Sequence, residues 1–162
     1  MPSPATADEL LLPPNEAQRR NAKNAGAAWI VDMHPLLFLR LTEARRYFNT
    51  TDEILGQAKP LAFYQSPELQ AEMTVHPLLD VDLKTGRVRA HEGRHRAAAV
   101  ANAGGEWYRV AIYPKPHDRL VRPRAFPRTW TNQFQTGCRV DSDKAIRDGA
   151  LRVLDDHVQD EY

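Results

Sequence analysis

The chain has 162 residues, enough for one domain with its own core and too few for two comfortable ones. It is 42% hydrophobic and 27% charged, the balance of a soluble globular protein, and its net charge of +1 excludes a global polyelectrolyte. Any anion binding must therefore come from a local patch. The single cysteine, Cys138, excludes an internal disulfide and a cysteine-based zinc cluster. No run reaches the roughly 18 apolar residues that a membrane span needs. The N-terminus has neither a basic start nor an apolar core, so it does not read as a signal peptide. A cytoplasmic setting and no membrane partner are the resulting expectations.

Residues 1–14 are rich in proline and small residues and read as a flexible tail. A core domain is expected over 15–113. Asn15 can cap a helix that runs to about Ala28, with Arg19, Arg20 and Lys23 on a basic face. Trp29–Val31 is a short apolar run followed by Asp32. A second helix opens at Pro35, and its leucines are too dense for a one-sided stripe, which predicts full burial. Thr50 or Thr51 can cap a short helix over 52–58. The stretch 59–72 is broken by Pro60 and Pro67, with Phe63 and Tyr64 as packing residues.

Pro77–Leu83 alternates as a strand with Leu79, Val81 and Leu83 on one face. Lys84-Thr85-Gly86 is a tight turn, and Arg87–Ala90 returns as a second strand. Arg94–Ala103 reads as a helix ended by Gly104-Gly105, and Trp107–Tyr113 is the strongest strand of the chain. Strand, hairpin, strand, helix and strand in this order predict an α+β fold, a small mixed sheet with packed helices. Residues 114–140 form an extended basic proline-rich arm. Asp141 or Ser142 caps a C-terminal helix within 141–162, with Ile146, Ala150, Val153, Leu154 and His157 on one face.

Chemistry concentrates in His91-Glu92-Gly93-Arg94-His95-Arg96. Three readings compete. The first is an anion site. A helix that starts after a glycine offers free N–H groups and the positive end of its dipole. Gly93, Arg94 and Arg96 then form a phosphate cradle, since forked guanidinium donors match phosphate oxygens. Glu92 is the candidate metal ligand or base, with His91 and His95 as proton-transfer groups. Two arginines and a histidine at a helix start oppose the dipole, and an anion would offset that repulsion. The second reading is a zinc hydrolase, because the string is literally H-E-x-x-H. That motif needs one continuous helix, which the preceding strand and Gly93 oppose, and the arginines would repel a dication. The third is a solvated charged helix start without a ligand.

The segment from about His76 to Tyr113 resembles the core of the ParB/sulfiredoxin superfamily. The resemblance rests on Leu78–Leu83, Gly86, Val88, Glu92, Arg94, Arg96, Ala97, Ala98, Gly104 and Val110–Tyr113. It implies nucleotide or nucleic-acid phosphate binding by Arg94 and Arg96, with Glu92 near a Mg²⁺ ion that accompanies a nucleoside triphosphate. It also implies nucleotide hydrolysis or nuclease activity as the reaction classes to consider. His91 stands where that family usually has glycine, and Gly93 where it has arginine. Gly93-Arg94-His95-Arg96 matches the sulfiredoxin motif with arginine in place of its cysteine, so sulfiredoxin chemistry is not implied. The pattern is similar to ParB-like proteins of phages and mobile elements, which would place it in a host cytoplasm.

Two secondary features remain. Arg122, Arg124, Arg128 and Trp130 of the basic arm supply cations and a stacking ring for nucleic acid, or a surface for a protein partner or self-association. A non-catalytic interaction protein, a virion component or an inhibitor of a host protein, is the alternative they support. Arg139 beside Cys138 could lower its thiol pKa, but nothing else marks it as a nucleophile.

Overall fold

The computed structural model describes residues 10–44, 50–115, 126–132, 134 and 138–155. The elements in chain order are α1 (Glu16–Asn24), β1 (Trp29–Met33), α2 (Pro35–Leu41), α3 (Thr51–Gln57), α4 (Leu61–Gln65), α5 (Pro67–Glu72), β2 (Leu78–Asp82), β3 (Val88–Glu92), α6 (Arg94–Asn102), β4 (Tyr108–Lys115), β5 (Thr129–Thr131), β6 (Arg139–Asp141), α7 (Ser142–Arg147) and β7 (Leu151–Asp155). The fold is α+β. A mixed five-stranded sheet has the order β3-β2-β4-β1-β7, and β5 and β6 form a separate antiparallel pair.

The first three helix starts expected from the sequence have their physical cause in place. The Asn15 side chain accepts from the Gln18 amide, and Thr50 accepts from Glu53, each satisfying an orphan donor of a first turn. His34 caps α2 through its ring, with Pro35 at the first helical position.

The sheet turns one face to α2, α3 and α6. Alternation places Val31 and Met33 of β1, Leu79 and Val81 of β2, and Tyr108, Val110 and Ile112 of β4 in that core. Helix α6 packs against α2 and α3, and its Ala97, Ala98 and Ala99 let it lie close. On the opposite face, Ala22 of α1 and Ala27 cover Ala111, with Ile30 and Tyr113 alongside.

Asp32 of β1 also lies on that opposite face and is fully buried. Its neighbours in register are Arg109 of β4 and Arg152 of β7. Arg109 donates to it through two nitrogens at 3.0 and 3.2 Å, and Arg152 Nε donates at 3.1 Å. Arg152 also lies 4.0 Å from the centre of the Trp107 ring. One carboxylate thus ties three adjacent strands together.

Three expectations are corrected. The C-terminal helix ends at Arg147, because Gly149 takes a left-handed conformation and Leu151–Asp155 joins the sheet edge beside β1. Ala150, Val153 and Leu154 fit the expected helix face, but Leu151 and Val153 alternate as a strand, and pairing with β1 decides it. His157 lies outside the described residues. The basic arm is not wholly extended: β5 and β6 fold back onto the core, and Trp130 is buried. The inner end of the N-terminal tail is packed, since Leu10 and Leu12 are buried.

Candidate anion site at the start of helix α6

The β2–β3 hairpin delivers the motif. Gly86, at φ 71°, makes the turn, and a Cβ there would collide with the Thr129 carbonyl of β5. Strand β3 carries His91 and Glu92. Gly93 then reverses the chain with φ 108° and caps α6 without any side-chain hydrogen bond. The Tyr108 hydroxyl donates to the Gly93 carbonyl at 2.7 Å and fixes this corner to β4. The first turn of α6 therefore opens with Arg94, His95 and Arg96, contains no acidic residue, and gives the amides of His95 and Arg96 no side-chain cap.

A cleft of about 350 Å³ lies against this helix start. Its floor is Glu92, Gly93, Arg94, His95 and Arg96. Its other wall is the segment 63–75, which carries α4 and α5 and contributes Phe63, Tyr64, Leu69, Glu72, Met73, Thr74 and Val75. That wall is clipped to α1 by side-chain amides. Asn15 Nδ2 donates to the carbonyls of Gln70 and Met73, Gln18 Nε2 also donates to Met73, and Asn21 donates to Thr74.

The two arginines part company. Arg94 Nε donates to the Thr42 hydroxyl at 2.9 Å, and its Nη2 lies 3.4 Å from the Leu39 carbonyl. Thr42 itself donates to the Phe38 carbonyl. Asn132, fully buried, donates to the carbonyls of Arg40, Leu41 and Glu43. Arg94 thus helps to close the C-terminus of α2, where carbonyls lack helical partners. Arg96 is 8% exposed, and its Nη1 donates to the Val75 carbonyl at 2.9 Å. A guanidinium has five N–H donors. Among the described residues no carboxylate lies within ion-pair distance of Arg96. Its remaining nitrogens are not sealed from water.

The expected acid–base groups are also divided. Glu92 and His95 are exposed and line the cleft. His91 pairs with Leu79 across the hairpin, on the core side. Burial pushes its pKa below the usual histidine value, the Arg94 guanidinium adds to this, and Glu92 opposes it. His91 and Glu92 sit on a strand and His95 on a helix, with Gly93 between, so the one-face helical geometry of an H-E-x-x-H zinc site is not formed. Among the described residues, no three His, Cys, Asp or Glu gather as a metal-binding group.

His76, just before β2, is buried, with Nδ1 2.7 Å from the Pro77 carbonyl. Burial lowers its pKa to about 4, with the nearby arginines Arg96, Arg109 and Arg19 adding to the shift against the opposing Pro77 hydrogen bond. Cys138 is half-buried, and burial raises its thiol pKa, against the lowering that Arg139 suggested.

The expected contact surface of the arm is only partly described. Arg122 and Arg124 lie outside the described residues, and Arg128 is exposed. Trp130 is not a stacking surface: its indole donates to the Ser142 hydroxyl at 2.6 Å and its ring packs on Phe126 in the core. No described helix is long and apolar enough to cross a membrane.

Sequence reasoning missed the wall at 63–75 as part of the site. Its Tyr64 meets the motif only through the fold, about thirty residues before it in the chain, and Pro67 within the segment and Pro60 just before it signal a loop rather than a site. Comparison of the chain with protein-family models, curated proteins and solved structures found no match.

Proposed function

We propose that the chain is a phosphate-binding domain of the ParB/sulfiredoxin type, and that the cleft at the start of α6 holds the phosphate of a nucleotide or nucleic acid. The observation that carries this reading is Arg96. A guanidinium that is 8% exposed, uses one donor on a backbone carbonyl and belongs to a helix first turn with no side-chain cap sits at the positive end of the helix dipole, a cost that an anion would offset. A phosphate on the amides of His95 and Arg96 would meet the dipole and the guanidinium together.

The carboxylates suit a Mg²⁺ ion that arrives with the phosphate. Such an ion needs one or two protein carboxylates and takes its other ligands from water and phosphate. Glu92, with Glu72 across the cleft, would supply them. Arg94 supports the site through the fold, by holding α2 against α6. His95, exposed at the mouth, is placed to donate to a phosphate oxygen.

A calorimetric screen with ATP, CTP, GTP and a short single-stranded DNA, each with and without Mg²⁺, tests this reading. Binding of at least one ligand is expected, weakened by added salt. Silence in every titration would end the proposal.

A further inference from the structure

We infer that α4 is the recognition wall of this cleft: the Tyr64 hydroxyl is a second donor to the anion, and Phe63 seats an apolar or aromatic body attached to it. The ligand class is then an organic phosphate ester rather than inorganic phosphate. This rests on the anion reading of the α6 cleft.

Tyr64 is the one buried residue of α4, at 8% exposed. Its ring lines the cleft opposite Arg96, close enough for the guanidinium to act on it electrostatically. The backbone N–H of Lys59 acts on the hydroxyl, favouring its ionised form against the effect of burial. No described group accepts the hydroxyl proton, and the oxygen is not sealed from water. A buried phenol normally finds a partner for its O–H. Burial raises its pKa, so it stays protonated and able to donate at neutral pH. Arg96 and Tyr64 approach from opposite walls, α6 and α4. A tetrahedral phosphate offers oxygens to both sides at once.

The rest of that wall is not built for a bare ion. Phe63 is 43% exposed and Val75 48%, with Leu69 and Met73 beside them. Their side chains face an aqueous cleft beside a cationic floor. An ester whose body lies on Phe63 would bury this surface while its phosphate reaches Arg96. Lys59 Nζ sits 5.2 Å from the Phe63 ring centre and adds a cation beside that ring.

Inorganic phosphate and phenyl phosphate separate the two parts when titrated into wild type, Tyr64→Phe and Phe63→Ala. Wild type is expected to bind phenyl phosphate at least about fivefold more tightly than phosphate. Tyr64→Phe is expected to weaken both ligands by about tenfold, with little loss of thermal stability, because the hydroxyl serves no protein acceptor and the exposed Lys59 can give its N–H to water. Phe63→Ala is expected to weaken phenyl phosphate alone. Wild-type affinities in Tyr64→Phe would overturn the role of the hydroxyl. Equal affinity of wild type for the two ligands would overturn the apolar seat. If wild type binds neither, the anion reading itself fails and the inference falls with it.

Discussion

The Tyr108 hydroxyl donates to the Gly93 carbonyl at 2.7 Å, and a Cβ on Gly93 would stand 2.6 Å from that same oxygen. Position 93 therefore tolerates no side chain, and its φ of 108° adds backbone strain to any substitution. Gly93→Ala is expected to cost about 3 kcal/mol, a fall in melting temperature of roughly 6–12 °C for a domain of this size. Tyr108→Phe alone is expected to cost about 1 kcal/mol, since the Gly93 carbonyl keeps its bond from Ala97. In the double variant part of the clash is gone. The loss should be smaller than the sum of the single losses, measured as a double-mutant cycle by thermal melts.

Arg94 and Arg96 should separate stability from binding. Arg94→Met removes the donors to Thr42 and Leu39 and is expected to lower the melting temperature by about 5 °C. Arg96→Met removes a cation from the first turn of α6, at the positive end of its dipole. Its melting temperature without ligand should stay level or rise, while phosphate binding is lost. Melting curves and titrations of the two variants check this. Equal thermal losses would contradict the division of roles.

The fold class and the strand–turn–strand–helix unit were legible because their signals are local. Alternation of Leu79 and Val81, the Gly86 turn, the Gly93 start and the Gly104 stop each act over a few residues. The division between Arg94 and Arg96 was not legible. Two positions apart on a helix, they diverge by about 200° around its axis, but only the fold decides which one meets α2 and which the cleft. The same holds for Trp130. Its neighbours in sequence are polar, and its burial depends on β6 and Ser142 folding back over it. β7 was missed because Ala150, Val153 and Leu154 fit a helical period, while the Leu151 and Val153 alternation is too short to stand alone, and the edge of β1 supplies the deciding hydrogen bonds. In the sequence alone, Asp32 stands only as the residue that follows an apolar run. Its two arginine partners are 77 and 120 residues away.

Asp32 offers a direct test of that buried network. Asp32→Asn removes the charge that holds Arg109 and Arg152 and leaves two guanidiniums side by side. A loss of about 3 kcal/mol is expected from urea unfolding. Arg109→Met or Arg152→Met should cost less, about 1–2 kcal/mol, because Asp32 keeps one partner in each. An Asp32→Asn variant as stable as wild type would show that the strands do not rely on this carboxylate.

His76 links stability to pH. Its folded pKa of about 4 lies below the ordinary value of 6.5, so the unfolded chain binds the extra proton between these values. Stability contributed by neutral His76 is complete above about pH 6.5, falls as pH drops towards 4, and is fully lost below it. The total is of order 3 kcal/mol. The urea midpoint of wild type should fall over this window. His76→Gln should lose much of that slope between pH 6.5 and 4, and an unchanged slope would count against the assignment.

The most direct test of the anion site is a ¹H–¹⁵N correlation spectrum recorded while a phosphate ligand, ATP with Mg²⁺ or phenyl phosphate, is added. Contact at the start of α6 should move the amide signals of His95 and Arg96 in a saturable way, leave Gly104 at the far end of the helix in place, and vanish in Arg96→Met. Saturable shifts that map to another surface, or shifts at His95 that persist in Arg96→Met, would contradict the account.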